Sequence, residues 1–401
     1  MNRNVLEILR ILWFLRPLTL SLTLSLTLPL SLGGRGNTAA RSATVVPDNR
    51  GSFRGFLPLS TAVVVLVVIL CSPVRAEEGR PDTSIFGRIT VMEENDKLVS
   101  HDDRHYTQGV RFSYLSGSVT PNGGWDRPYA WLSDLFPIFQ GPSRKRTYEG
   151  TVGQSIFTPT NTERVFPSKK DRPYAAWLYT GASLLQETDQ GRYRTLENVE
   201  VLVGVVGPAA FGGVTQNDFH QFVGVESSLG WKTQIHDEPG FVATYERKWR
   251  FQQTLIGNLA VDAIPELGAS VGNVLTYGEV GGLLRFGQNL GADYGPDRIR
   301  PSLSGTAWFD ADQLNGNLGW YVFLGTQGRV VGRNLFLDGN TFATSPSVNK
   351  KTLVADFMGG VSLFWSTALR LDLTVTQRTK EFYGQRGHPD RFGGMNLAFQ
   401  F

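Results

Sequence analysis

The feature that most constrains this chain is a hydrophobic repeat of two. Leu369, Leu371, Leu373 and Val375 alternate with Arg370, Asp372, Thr374 and Thr376. Phe241, Ala243, Tyr245 and Trp249 alternate with Thr244, Glu246, Lys248 and Arg250, and Val110, Phe112 and Tyr114 with Arg111 and Ser113. Residues i and i+2 share a face in an extended strand, so segments of about ten residues with this pattern read as strands with one apolar face. Beyond residue 76 no stretch approaches the ~20 consecutive apolar residues of a membrane helix. A soluble sandwich alternates as well. Here, however, the polar face repeatedly carries Arg, Asp, Glu and Lys, which suits the water-filled or polar-packed lumen of a barrel whose other face meets lipid. The chain ends on the same pattern, with Met395, Leu397, Phe399 and Phe401, as expected of the strand that closes an outer-membrane barrel.

Composition narrows the class further. Aromatic residues make up 11% of the 401 residues and charged residues 19%, neither a disordered nor a helical-membrane composition. The net charge of +3 is too small to point to nucleic acid as partner. Cys71 is the one cysteine, so no intramolecular disulfide can form. Arg50 and Arg54 precede an apolar run over 62–71, and Val74-Arg75-Ala76 follows with small residues where a signal peptidase needs them. Residues 51–76 are therefore expected to be a secretory signal cut after Ala76, with 77–401 as the barrel. Residues 1–50 are expected to be an upstream extension arising from a start assigned too early, with a genuine extension as the alternative.

The alternation predicts twelve strands, over 84–96, 106–116, 146–157, 174–186, 191–206, 239–252, 255–270, 274–286, 318–332, 352–366, 368–381 and 391–401, with 300–309 as a further strand or part of a loop. The expected fold is all-β, a transmembrane antiparallel β-barrel of about twelve strands whose extracellular loops carry the site. Bacterial barrels have an even number of strands, short periplasmic turns and longer external loops. With the first strand running outward, the connections after strands one, three and five face outside. The long connection 117–145, with Trp125, Trp131, Leu132, Leu135, Phe136 and Phe139, falls on the periplasmic side against that rule. A short amphipathic helix at the inner interface would accommodate it.

Three polar clusters fall in the outward connections. Asn95-Asp96 ends strand one, and Asp103-Arg104-His105-Tyr106-Thr107-Gln108-Gly109 opens strand two. Arg164, Lys169, Lys170 and Asp171-Arg172-Pro173-Tyr174-Ala175-Ala176-Trp177 precede strand four. Gln216, His220, Glu226 and Gly230-Trp231 follow strand five. Each has an ordinary reading. Asn-Asp at a strand end satisfies local backbone groups, a basic run is a solvated loop, and a single loop histidine is solvated. Six residues apart, His220 and Glu226 share a face of a strand but lie roughly 120° apart on a helix, so spacing alone does not establish contact. Thr107 has the parity of Arg111 and Ser113, and is expected to point into the polar interior.

Taken in order, these motifs resemble the lipid A 3'-O-deacylase family of outer-membrane barrels, and the resemblance extends over 84–401. It implies an enzyme of the outer membrane that hydrolyses an O-linked acyl chain of lipid A in lipopolysaccharide, using Asn95, Asp96, Thr107, His220 and Glu226 with Ca²⁺. By that resemblance His220 is the general base on water, and Asp96 and Glu226 are expected to hold the ion. Thr107 and Asn95 position the water or the metal's ligands. Arg164, Lys169, Lys170 and Arg172 are the expected contacts to lipid A phosphates, with Arg164 foremost. The Asp171–Tyr174 run is expected to order its loop. Two alternatives stand beside this reading: an outer-membrane phospholipase, for which no serine has a suitable histidine neighbour in sequence, and a porin or inactive barrel.

Overall fold

The computed structural model describes residues 87–100, 104–141, 144–301, 307–314, 318–365 and 369–400. The expected extension and signal peptide, Asp103 and Phe401 lie outside them. Twelve strands form one closed antiparallel barrel in which each pairs with its sequence neighbours and β1 with β12. They are β1 (Arg88–Asn95), β2 (His105–Leu115), β3 (Arg144–Thr158), β4 (Ala175–Asp189), β5 (Arg194–Val206), β6 (Glu238–Ile256), β7 (Leu259–Gly272), β8 (Leu275–Gly287), β9 (Leu318–Asn334), β10 (Leu353–Trp365), β11 (Leu369–Arg378) and β12 (Asp390–Gln400). All twelve expected strands are present, with ends displaced by a few residues. Closure runs from Arg88 opposite Gln400 to Asn95 opposite Gly393, so no edge with unpaired backbone groups is left between these strands. No helix among the described residues is long and apolar enough to cross a membrane.

The two faces separate as the alternation requires. Val152, Val201, Val203, Val280, Leu324 and Val375 are exposed on the outer wall, while their strand neighbours Thr151, Glu200, Leu202, Glu279, Phe323 and Thr374 are buried. The lumen is packed with polar side chains. Arg111 bonds Glu149 at 2.7 Å and Glu200 at 3.2 Å, and Asp356 is shared by Arg329 and Arg378 at 3.0 and 2.9 Å.

The connection between β8 and β9 is folded into that lumen. Its Arg298 reaches Glu94 of β1 at 2.5 Å and its Arg300 reaches Glu246 of β6 at 2.9 Å. Its Asp293 bonds Arg285 and Arg370 from the walls. Among the described residues of 300–309, Phe309 forms an isolated bridge, to Asp293, and no further strand is present. Side chains anchored from opposite walls and from this inserted segment fill the bore, which disfavours the porin alternative.

The end of the barrel where β1 begins and β12 ends has tight turns at 190–193 and 257–258, as periplasmic turns do. The connections after β2 and β8 are the departures there. The first contains helix α1 (Arg127–Leu135), the short amphipathic helix anticipated for it. At the opposite end, the connections after β5 and β9 carry α2 (Gly212–Val223) and α3 (Leu335–Asp338).

Candidate active site

Thr107 turns to the outer wall near the external rim, not into the lumen. A β-bulge causes this. Pairing of β2 with β3 runs regularly up to Gln108 opposite Ile156, then shifts so that Tyr106 lies opposite Phe157 and Thr107 has no opposite number. Tyr106 takes the inward position and donates to Glu94 Oε2 at 2.8 Å. Gln108 faces outward and donates to Glu93 at 3.3 Å. Thr107 turns to Thr158, hydroxyl to hydroxyl at 2.7 Å. Thr158 follows Phe157, which stacks inside the barrel on Phe336 at 4.2 Å between centroids, so alternation puts Thr158 on the outer face. The expectation that Thr107 points into the polar interior is thus corrected. One extra residue in a strand reverses the facing of those beyond it.

Asn95 shares the outer face with Glu93. Its Oδ1 accepts from Lys97 N at 2.8 Å, capping the turn Asp96–Leu98, so this side chain does the local turn work that a strand-end Asn offers. Asp96 is buried, its Oδ2 accepting from Arg104 N at 2.7 Å.

His220 arrives from the connection after β5. The chain enters α2 along the outer wall, where Gln154 of β3 donates to Ala210 O at 2.6 Å. Helix α2 packs on β3 and β4, over an apolar layer of Ile156, Tyr174, Ala176, Ala210 and Trp231. Gly212 permits the close approach, because a Cβ there would stand 2.4 Å from Ala176 Cβ and 2.8 Å from the Trp231 ring. Gly224, at φ +74°, ends the helix and reverses the chain, and Asn217 ties the returning segment down through Ser228 N at 2.8 Å.

The reversal carries the Glu226 carbonyl to His220 Nδ1 at 2.7 Å. The pair expected from sequence therefore meets, but through the main chain; the Glu226 side chain is exposed. A carbonyl only accepts, so Nδ1 carries the hydrogen and the neutral ring keeps its lone pair on Nε2. One turn before His220, the buried Gln216 accepts from Trp231 Nε1 at 2.8 Å, which fixes the helix about its own axis.

The basic residues divide. Arg164, Lys169 and Lys170 are exposed on the connection after β3. That connection docks on the segment following α2, with Leu229 N donating to Thr162 O at 2.9 Å and the Tyr174 and Trp231 rings 4.9 Å apart. These three cations thus stand at the same rim as α2. Arg172 does not share their exposure. It is fully buried, 3.1 Å from Glu381 and above the Phe157 ring at 4.8 Å, so it ties two connections together and is turned away from any phosphate outside.

His105 is a residue whose importance sequence reasoning missed. It is fully buried, in the left-handed region at φ 65°, and leads directly into the bulge. Its Nδ1 lies 2.7 Å from Asp390 Oδ1, and its Nε2 lies 3.2 Å from Thr160 Oγ1 and 3.6 Å from Asp171 Oδ1. Three outward connections are thereby latched. Burial alone would raise the Asp171 carboxyl, but hydrogen bonds from His105 and Thr160 outweigh it and hold the group down at about 2. The only hints in the sequence are the dense polar run beside Thr107 and an Asp390 far along the chain.

Among the described residues no three His, Cys, Asp or Glu side chains come together as a ready-made metal cluster. Of the two expected calcium ligands, both of them oxygen donors, the Asp96 carboxylate is buried and the Glu226 side chain is exposed.

The solved structure of LpxR from Salmonella typhimurium aligns with a TM-score of 0.60 at 20% identity, covering 78% of this chain and 100% of that one. The β domain of the Bordetella autotransporter BrkA aligns with a TM-score of 0.40 at 10% identity, covering 79% and 98%. No curated protein sequence matches. The family model described as outer membrane protein LpxR matches residues 63–401. With a match over most of its length, the chain belongs to the outer membrane protein LpxR family, the lipid A deacylase family that its loop motifs resemble.

Proposed function

We propose that this barrel is a Ca²⁺-dependent esterase that hydrolyses the 3'-O-linked acyl chain of lipid A within the outer leaflet. The observation that carries the proposal is His220, buried on the lipid-side wall with Nδ1 committed to the Glu226 carbonyl. Its Nε2 is then the basic nitrogen of the ring. It removes a proton from water as the water oxygen attacks the ester carbonyl carbon, and returns it to the departing sugar oxygen as the acyl C–O bond breaks. The products are a free fatty acid and a lipid A hydroxyl. Thr107, held by Thr158, and Asn95, held by its turn, stand on the same wall to orient water and ester. The exposed Arg164, Lys169 and Lys170 would hold the lipid A phosphates by charge-assisted hydrogen bonds.

Calcium takes oxygen ligands, carboxylates first. The donor set fits that chemistry: Asp96 would hold the ion, with the Glu226 carboxylate as the second available acid, and water and substrate oxygens would complete the shell. When bound, the ion would supply positive charge beside the ester carbonyl oxygen. Mass spectrometry of lipid A from cells with and without the protein tests the whole reading. Loss of one 3'-linked acyl group is expected. An unchanged lipid A, or an altered phospholipid pool, would overturn it.

A further inference from the structure

The connection after β2 carries a second membrane-facing surface, at the periplasmic end and outside the barrel. Its inner side is fixed to the outer wall. Asp126 pairs with Arg146 at 2.6 Å, Tyr148 donates to Trp125 O, and Phe139 N donates to Glu197 Oε2 at 2.9 Å. Tyr148 has the outward parity of the exposed Val152, and Glu197 that of the exposed Val201. The buried Tyr129 of α1 reaches the strand carbonyls Thr147 O and Leu185 O at 2.5 and 3.2 Å. Thus α1 is a strap lying against the wall across β3, β4 and β5, where a two-residue turn would have sufficed to join β2 to β3.

Its other side is apolar and uncovered. Trp125, Trp131, Leu135 and Phe136 are 76%, 62%, 55% and 54% exposed. Trp131 and Leu135 stand one helical turn apart and so point the same way. A water-facing helix would place such residues inward. Here the inward side is already occupied by Asp126, Tyr129 and Phe139, so large apolar groups on the far side are not left over from core packing. The patch is continuous with the lipid-facing wall through Tyr148, whose ring meets that of Trp125 at 5.7 Å, and through Val152 above it. Tryptophan beside aliphatic side chains, at the end of an apolar band, matches the boundary between headgroups and acyl chains.

We propose that this strap is an interfacial element seated in phospholipid of the periplasmic leaflet, with Trp125, Trp131, Leu135 and Phe136 buried among headgroup and upper acyl carbons. The barrel would then grip its two leaflets differently, with wall strands above and a helix lying flat below. A second copy of this chain, or a water-soluble protein, is the competing occupant of the same face.

Spin-label accessibility separates them. In a Cys71→Ser background the chain has no other cysteine, so Trp131→Cys can be labelled singly and the full chain reconstituted in phosphatidylethanolamine–phosphatidylglycerol vesicles. Collision with oxygen, which concentrates in lipid, and with a nickel chelate, which stays in water, is then read for that label. Val203→Cys on the lipid-facing wall and Arg192→Cys in an exposed turn supply the two references. Oxygen-dominated accessibility like that at 203 is expected. Nickel-dominated accessibility like that at 192, or protection from both reagents as under a protein partner, would overturn the proposal. Phe136→Cys repeats the reading should the Trp131 variant fail to give the heat-modifiable folded band.

Discussion

Whether His220 can act as a base depends on one main-chain oxygen. Because the Glu226 carbonyl accepts from Nδ1, the basic lone pair of the neutral ring is on Nε2, and His220→Ala should lose about 10²–10⁴ in rate of fatty-acid release. Glu226→Gln and Asp96→Asn keep the backbone that holds His220 and Asp96 in place, yet remove charge from the proposed ion site. Both should lose activity at low calcium and regain part of it at millimolar calcium, whereas His220→Ala should not respond. A His220 variant rescued by calcium would mean that base and ligand are assigned the wrong way round. The residue types were legible in the sequence; the atoms through which they act were not. Nothing in a spacing of six says that Glu226 meets His220 through its carbonyl, since that follows from the Gly224 reversal. The rim latch gives a pH signature. The Asp171 carboxyl sits at about 2 in the folded protein against an ordinary 3.8. Its lowered value contributes stability that is complete above about pH 4 and lost as pH falls through 2. Pepsin cleavage within 159–174 should accelerate across that interval, and Asp171→Asn should show the faster cleavage already at pH 4.

At the scale of elements, the strands and the α1 segment were legible and α2 was not. A repeat of two persists through a whole strand, so twelve strands could be read without a partner in view. The bulge at Thr107 could not, because a bulge is a mismatch between two strands and shows only when β3 lies beside β2. Helix α2 begins at paired glycines with no side-chain cap, and takes its stability from the wall and Trp231 beneath it. Gly212→Val tests that dependence. Its side chain would collide with Ala176 and Trp231, so the variant should still give the heat-shifted band of a folded barrel while fatty-acid release falls at least about tenfold, since a 1 Å misplacement can cost more than that. A variant of full activity would mean that α2 does not set the position of His220. Phe401→Ala, beyond the described residues, should act in the opposite sense. Removing the aromatic that ends the closing strand should lower the yield of folded barrel in the outer membrane more than any loop change, as read by the same gel shift.

On the scale of the whole molecule, the filled lumen and the occupied outer wall belong together. Arg300 from the inserted connection joins Glu200 of β5 to Glu246 of β6. Arg300→Ala would take one cation from the buried Glu200 and Glu246 carboxylates, a loss of up to roughly 3–5 kcal/mol for broken buried pairs, measurable as a lower urea midpoint for the gel-shifted form. Planar bilayers containing the native protein should show no steady single-channel conductance, and a stable open channel would contradict the packing of the bore. The sequence carried half of this: it displayed a charged inner face but not whether water or Arg298 and Arg300 would meet it. The wall-mounted His220 has a consequence for kinetics. Enzyme and lipid meet by lateral diffusion in a plane, so the relevant substrate concentration is a mole fraction of the leaflet and not an amount per litre. Diluting a suspension of vesicles tenfold, with enzyme and lipid A in the same bilayers, should leave the turnover per barrel unchanged. Diluting lipid A with phospholipid inside each bilayer should slow it.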